Sequence, residues 1–272
     1  MTQTGRQRQE RILAEIFEKR HVSAKGLASQ MSVSEATIRR DLKALAETGR
    51  IDLVHGGATL PRAGDSSFLS REQRNVEAKR IIGRLAADLV RDGDQIFLDP
   101  GTTCFAMSAF LKRKRGLSII INSVRLAPEL MMSGVSVIML GGQYRPDRMD
   151  TVGPMAASSL DQLRGYSAFV GADGLSQDFG PTADDIESAN LYRLAIRHAR
   201  EATLLVDHSK FSSPSLYKIV DWGAIPRIAT DQPPDPEWME FLEAHRIKVI
   251  CPDGNTADEQ QGTDPRARTS GP

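Results

Sequence analysis

Val33-Ser-Glu-Ala-Thr-Ile-Arg-Arg-Asp-Leu-Lys43 reads as a tight turn followed by a helix that presents arginines. Ser34 is suited to be the N-cap, because its hydroxyl can accept from an orphan amide of the first turn. Ile38, Leu42 and Leu45 recur at i, i+4 and i+7 and give one buried face. Ala36, Arg40 and Lys43 fall on the opposite face, with Thr37 and Arg39 at its flanks. A small residue, a hydroxyl and two forked cations near the start of an exposed helix suit entry into a DNA major groove. A plain surface helix with solvated charges would carry the same residues, so the flanking elements decide.

Upstream, Arg8 to Lys19 carries Ile12, Leu13, Ile16 and Phe17 at helical spacing. After a break at Arg20-His21-Val22, Ser23 can cap a second helix with Leu27, Ala28 and Met31 as its apolar face. Helix, helix, turn and helix in about fifty residues is the layout of a helix-turn-helix. Downstream, residues 49–58 alternate and end in glycines, which predicts a two-stranded wing carrying His55.

The chain has 272 residues, enough for two domains. Its 40% hydrophobic and 26% charged content describes an ordinary globular protein. The formal net charge of zero hides an asymmetry. Residues 1–60 carry ten Lys/Arg against seven Asp/Glu, so a basic head of +3 sits on an acidic body. That fits one nucleic-acid-binding module, weak by itself and in need of assembly into at least a dimer. Cys104 and Cys251 fit no metal-ligand spacing. Neither a leader segment nor an apolar membrane span is read, so the cytoplasm is expected, and no cofactor or metal is.

The expected organisation is a winged helix-turn-helix over 1–58, a linker over 59–75, an α/β domain over 76–252 and a disordered tail over 253–272. Phe68 and Leu69 are the linker's candidates for docking onto the body. Helices are predicted over 76–91, 102–113, 124–133 and 184–200. Strands are predicted over 94–99, 117–122, 135–140, 166–172 and 202–207, and near 218–221, 226–230 and 247–251. Short apolar strands alternating with helices predict an open, mostly parallel sheet covered on both faces.

Ligands of open α/β sheets bind beyond the carboxyl ends of the strands, and the unusual residues of this chain sit there. They are Asp99-Pro-Gly-Thr-Thr103, Asn122-Ser123, Gly141-Gly142 with Tyr144-Arg145, Gly171-Ala-Asp173-Gly174 and Asp207-His-Ser-Lys210. Gly101-Thr102-Thr103 lies between a strand and a helix. Glycine admits an anion to the backbone, and the first-turn amides and two hydroxyls donate, which makes a phosphate cradle. A plain turn with Thr as cap is the bland alternative. Lys210 can add a point charge, unless it is merely solvated. Asp99 and Asp173 suit sugar hydroxyls, because carboxylates accept from O–H groups. Cys104 and Met131-Met132 are expected in the core. His208 suits either a ligand contact or a structural bond.

The motifs together resemble the DeoR-type bacterial transcriptional regulators. In the head the likeness rests on Ser34-x-x-Thr37-Ile38-Arg39-Arg40-Asp41-Leu42 and His55-Gly-Gly-Ala58. In the body it rests on Leu98-Asp99-x-Gly101-Thr-Thr103, Asn122-Ser123, Gly141-Gly-x-Tyr144-Arg145, Val152-Gly-Pro154, Phe169-x-Gly171-Ala-Asp173-Gly174 and Asp207-His-Ser-Lys210-Phe211. The resemblance runs from about residue 6 to about residue 251. It implies a body folded like ribose-5-phosphate isomerase and glucosamine-6-phosphate deaminase, with Gly-Thr-Thr as phosphate loop and Gly-Ala-Asp as acidic loop. The sequence departs from the family's frequent residues at Pro100, Ile121, Asp150 and Tyr192.

Two functions follow as expectations. One is a repressor of a carbohydrate operon that binds double-stranded operator DNA as a dimer or tetramer and is tuned by a phosphorylated sugar. Its DNA-contact set is Ser34, Ala36, Thr37, Arg39, Arg40, Lys43 and His55. Its effector set is Asp99, Gly101, Thr102, Thr103, Asn122, Ser123, Gly141, Gly142, Tyr144, Arg145, Asp173 and Lys210. The other is a sugar-phosphate isomerase or deaminase with an accessory DNA-binding head. Isomerases of this fold follow Gly-Ala-Asp with a second carboxylate, and here Gly174 follows. A DNA-binding scaffold that senses nothing is a third, weaker expectation.

Overall fold

The computed structural model describes residues 3–19, 21–47, 51–59, 68–131, 134–212 and 214–252. Residues 49–50 of the expected wing, 60–67 of the expected linker, Met132 and the whole of the expected disordered tail, 253–272, lie outside the described residues.

The head runs α1 (Gln3–Lys19), β1 (His21–Ser23), α2 (Ala24–Met31), α3 (Glu35–Glu47), β2 (Asp52–Val54) and β3 (Gly57–Thr59). Ser23 caps α2 by accepting from the Gly26 amide at 3.0 Å. Ser34 caps α3 by accepting from the Thr37 amide at 3.1 Å. Ile38, Leu42 and Leu45 are buried against Ile12, Ile16 and Leu27, as their spacing predicts. The wing strands β2 and β3 pair antiparallel. His21 and Val22 of the expected break instead open a third strand, β1, which ends at the capping Ser23 and pairs with β3. A Cβ on Gly57 would stand 2.0 Å from the Val22 carbonyl oxygen, so this pairing requires glycine there.

Next comes α4 (Phe68–Glu72), the described part of the expected linker. Phe68 is buried and meets Phe105 edge-on at 5.3 Å, while Leu69 stays exposed. The body then runs α5 (Val76–Asp88), β4 (Gln95–Leu98), α6 (Thr102–Leu111), β5 (Ser118–Ile121), α7 (Leu126–Glu129), β6 (Ser136–Met139), β7 (Gln143–Arg145) and β8 (Asp150–Val152). It continues with α8 (Pro154–Leu160), β9 (Ser167–Gly171), β10 (Gly174–Ser176), β11 (Gly180–Ala183), α9 (Ile186–His198) and β12 (Glu201–Leu205). It closes with β13 (Tyr217–Lys218), β14 (Arg227–Ala229), α10 (Pro236–Ala244) and β15 (Lys248–Ile250).

Seven strands form one sheet in the order β15-β14-β12-β9-β4-β5-β6. Every pairing in it is parallel. Both faces are buried: Ile96 and Leu98 join one apolar cluster and Phe97 the other. That is why these strands read as continuous apolar runs. The fold is therefore the expected α/β architecture behind a winged helix-turn-helix.

Four differences stand out. The segment near 218–221 forms β13, which joins a small antiparallel sheet with β10 and β11 rather than the parallel one. Residues 143–152, for which the sequence predicts no element, fold back as the β7–β8 hairpin. Helices α8 and α10 were not anticipated, although Pro154 and Pro236 stand in their first turns, a position where the missing amide does no harm. Met131, expected in the core, is 82% exposed.

Leu42 is fully buried between α1 and α3. Leu42→Ala should lower head stability by about 2–5 kcal/mol. Hydrogen exchange should then rise across 21–59 and stay unchanged in β4 and β9.

Candidate functional site

Two surfaces collect the chemistry. On the head, Ser34, Ala36, Arg39, Arg40 and Lys43 are exposed along α3, and His55 is exposed at the wing turn. Thr37 is half-buried and its hydroxyl lies 2.8 Å from that of Ser34. Asp41 faces the other way and is buried, with its carboxylate 2.5 Å from the Arg8 guanidinium of α1. This pair fixes the roll of α3, so the cationic side faces outward.

The second surface is a cavity of about 100 Å3 at the carboxyl ends of β4, β9 and β12. The sequence-predicted Asp99, Gly101, Thr102, Thr103, Asp173 and Lys210 all line it. Gly101 opens α6, and the Phe105 amide closes the first helical bond onto the Gly101 carbonyl at 2.8 Å. The first-turn amides before Phe105 have no intrahelical partner and mark the positive end of the helix.

Asp99 has a different job from the one expected. It is 1% exposed, and its two oxygens accept from the Gly101 amide at 2.5 Å and from the Gly171 amide. Burial raises its carboxyl to about 6 despite those two bonds. It positions the loops after β4 and β9 and has little capacity left for a sugar hydroxyl. The Gly101 amide is also spent on Asp99, which leaves the amides of the turn that follows as the unpaired donors of this helix end.

Asp173 sits at the other side of the cavity. Its carboxylate meets the Arg71 guanidinium at 3.2 Å and accepts from the Asp184 amide at 3.0 Å. Burial pushes its pKa up, but the charges of Arg71 and Lys210 more than offset this and hold it below the ordinary range. Asp184, pushed up by burial and by Asp173, is ion-paired to Arg148 at 2.5 Å. A second carboxylate does therefore stand beside Asp173, supplied from after β11 rather than from position 174.

Six expected residues stand back from the cavity lining. Asn122 is fully buried and donates to the Thr151 carbonyl at 2.9 Å. Ser123 is fully buried and accepts from the Leu126 amide at 3.2 Å. Gly141 and Gly142 lead into the hairpin, and Gly142 is packed against β8 and α8 so closely that a Cβ would meet the Val152 oxygen at 2.5 Å. Tyr144 is half exposed on the hairpin. The Arg145 guanidinium is committed to Asp150 at 2.6 Å, Asp185 at 2.8 Å and Ser188 at 2.9 Å. Arg145 acts on the cavity only through Asp150, which does line it. His208 also lies outside and bonds Asp231 at 2.8 Å, the structural alternative. Cys104 is core, as expected.

Residues outside the expected effector set supply much of the lining: Arg71, Arg74, Lys79 and Arg148, which sequence reasoning missed, and Asp207, which it placed at a strand end without a role. Lys79 is the one with a visible signal, because it interrupts the apolar stripe Ala78, Ile82, Gly83, Ala86. It is 7% exposed, and its ammonium donates to the carbonyls of Arg71 and, at 2.6 Å, Arg74. Burial lowers its pKa from 10.5 to about 8, against the attraction of Asp207.

The sign of the resulting pH dependence follows directly. Between about 8 and 10.5 the unfolded chain binds more protons at Lys79 than the folded one. The penalty for the buried charge is thus full below pH 8 and disappears as pH rises through that window. The wild type should gain up to about 3 kcal/mol from this group across it. Denaturant titrations at pH 8, 9 and 10.5 should show that gain, and Lys79→Met should show little of it.

Two family models match the chain. The DeoR-like helix-turn-helix domain matches residues 8–63, and the DeoR C terminal sensor domain matches residues 74–232. The glycerol-3-phosphate regulon repressor of Escherichia coli (strain K12) is 31% identical over 248 residues, covering 90% of this chain and 98% of its own. The lactose phosphotransferase system repressor of Lactococcus lactis subsp. lactis is 30% identical, covering 80% and 88%. Among solved structures, a ribose 5-phosphate isomerase A from Methanocaldococcus jannaschii matches 50% of this chain and 55% of its own, at 20% identity and a TM-score of 0.37. With both family domains present in order and relatives aligned over nearly their whole length, the chain belongs to the DeoR family.

Proposed function

We propose that this protein is a DNA-binding transcriptional repressor of a carbohydrate operon, and that a phosphorylated sugar or related metabolite in the body cavity sets its operator affinity. One observation carries the reading. A helix N-terminus with two threonines, Lys210 and Lys79 share one small cavity with Asp173, behind a head that exposes Arg39, Arg40 and Lys43. Thr102, Thr103 and Lys210 hold the anionic end, and Asp173 accepts from hydroxyls. Relatives named as repressors of glycerol-3-phosphate and lactose phosphotransferase genes support the carbohydrate setting.

The enzyme reading has one specific observation in its favour, the Asp184 carboxylate beside Asp173. It is outweighed by the ion pairs. A general base works best with a pKa near the operating pH, whereas Arg71 and Lys210 hold Asp173 below the ordinary carboxylate range. Asp99, although raised to about 6, has both oxygens occupied by backbone amides. We therefore assign binding without turnover, with the DNA-binding unit spanning residues 1–58, a connecting segment to 75 and the sensor to 252. The cytoplasm, where operators lie, is the assigned compartment. Among the described residues no helix is long and apolar enough to cross a membrane.

Three measurements test this. Arg40→Ala should weaken operator binding by about 1–3 kcal/mol, the worth of a bidentate base contact, while the melting temperature stays put; unchanged affinity in a gel-shift titration at fixed salt removes Arg40 from the interface. Thr102→Ala and Lys210→Ala should each abolish the effector's influence and leave operator binding intact, with roughly 1.5–3 kcal/mol of binding lost per charge-assisted bond. Light scattering should find at least a dimer, since a head of net charge +3 binds weakly alone and gains from linked half-sites. Steady turnover of any sugar phosphate in a panel assay would reinstate the enzyme.

A further inference from the structure

Arg74 stands at the wall between two chambers. It lines the small cavity with Lys79, Thr102 and Lys210. It also lines the open groove between head and body, with Lys43 and Leu53 on the head side and Val76 and Ile81 on the other. Its guanidinium makes an ion pair with Asp52, the first residue of wing strand β2. Both side chains are about a quarter or less exposed, so the pair is only partly screened.

The segment bearing Arg74 is held at three other points. Phe68 anchors its start, with its amide donating to the Asp147 carbonyl at 2.8 Å and its ring on Phe105. Arg71 reaches Asp173 in the cavity. Lys79 gathers the carbonyls of Arg71 and Arg74 from the body side. The Arg71 Nε is also a buried donor with no acceptor. The cavity thus presents two guanidinium groups from one short segment, Arg71 in the last turn of α4 and Arg74 just beyond it. One carries an unmet donor, and the other is neutralised by a carboxylate that belongs to the DNA-binding head.

We propose that Arg74 is shared between effector and wing: it holds Asp52 while the cavity is empty and the effector's anionic group when it is filled, so that binding frees the wing from the body. This rests on the sensor reading above and adds its route. Asp52 and the anion compete for one guanidinium. Each therefore weakens the other's hold by the same factor, as linkage requires. An effector that carried hydroxyls alone would leave Arg74 on Asp52 and would not release the wing.

The test uses the full chain with inorganic phosphate as the probe, titrated by calorimetry and by hydrogen exchange at 52–59. In the wild type, phosphate should bind and raise exchange in the wing. Asp52→Asn removes the competitor, so phosphate should bind about fivefold or more tightly, with wing exchange already high and insensitive to phosphate. Arg74→Gln breaks the same pair from the other side, so wing exchange should again be high, but phosphate should bind more weakly. Opposite shifts in phosphate affinity from the two halves of one ion pair are the signature. A purely structural pair would move both variants the same way or neither, and that result overturns the proposal. If phosphate binds the wild type and Lys210→Ala abolishes it, but Asp52→Asn changes nothing, the relay fails and the sensor stands. If phosphate never binds, the sensor reading and the relay fail together. Asp52→Ser serves as the second variant if Asp52→Asn does not fold by circular dichroism.

Discussion

A single buried carboxylate pins together the two loops on which the cavity depends. Asp99 leaves β4, while Gly101 and Gly171 donate to it from the loop after β4 and from the end of β9. The two strands are neighbours in the sheet, with Leu98 opposite Phe169. Those bonds aim α6 at the cavity and hold the chain that leads to Asp173. They also explain the glycine, since a Cβ on Gly101 would stand 2.7 Å from the Asp99 oxygen. Burial pushes the carboxyl towards about 6, and the two amides are what keep it from rising further. The turn that opens α6 is therefore a consequence of a bond made beneath it.

The sheet order then decides which strand ends can cooperate. Every strand of the seven is parallel, so all carboxyl ends share one edge, and the sequence pattern shows that much. It does not show that β9 and β12 lie on one side of β4 while β5 and β6 lie on the other. The ends of β4, β9 and β12 enclose the cavity. Asn122 after β5, and the glycines and hairpin after β6, stand to the side and serve the packing of β8. Local pattern finds strand ends, but neighbour relations are set by pairings between residues that lie far apart in the chain. That difference separates the half of the expected effector set that lines the cavity from the half that does not. The head was legible for the converse reason, because caps, helix periodicity and the turn are all local. Its one surprise, β1, is a three-residue strand whose partner β3 lies more than thirty residues away.

Cations in the cavity escaped notice for a related reason. Arg71 and Arg74 come from a segment whose composition reads as linker, and Lys79 comes from a helix whose other inward residues are apolar. None sits at a strand end. Lys79 could have been found by asking why a lysine interrupts an apolar stripe, since burying an ammonium costs unless it is bonded. Its bonds go to the carbonyls of Arg71 in α4 and of Arg74 just beyond it, so it ties α5 to the segment leading to the head.

The departures from the family pattern acquire a location. Pro100, Asp150 and Tyr192 all line the cavity, whereas Ile121 is buried within β5. Where the family often has Lys, Tyr192 brings no charge, and where it often has Ser, Asp150 brings a carboxylate that Arg145 neutralises. On the sensor reading proposed above, the anionic end of a ligand depends on Lys210, Lys79, Arg71, Arg74 and the start of α6. The rest of it would meet Asp173 and Asp207, which accept hydrogen bonds and repel a second anion, and Asp150, whose charge Arg145 offsets. On the reading proposed here, that charge arrangement favours a polyhydroxyl monophosphate over a bisphosphate or a phosphorylated sugar acid. The discrimination would come from carboxylates left facing an anion without a proton between them, since a specificity site rejects as much by unmet charge as by lost contact.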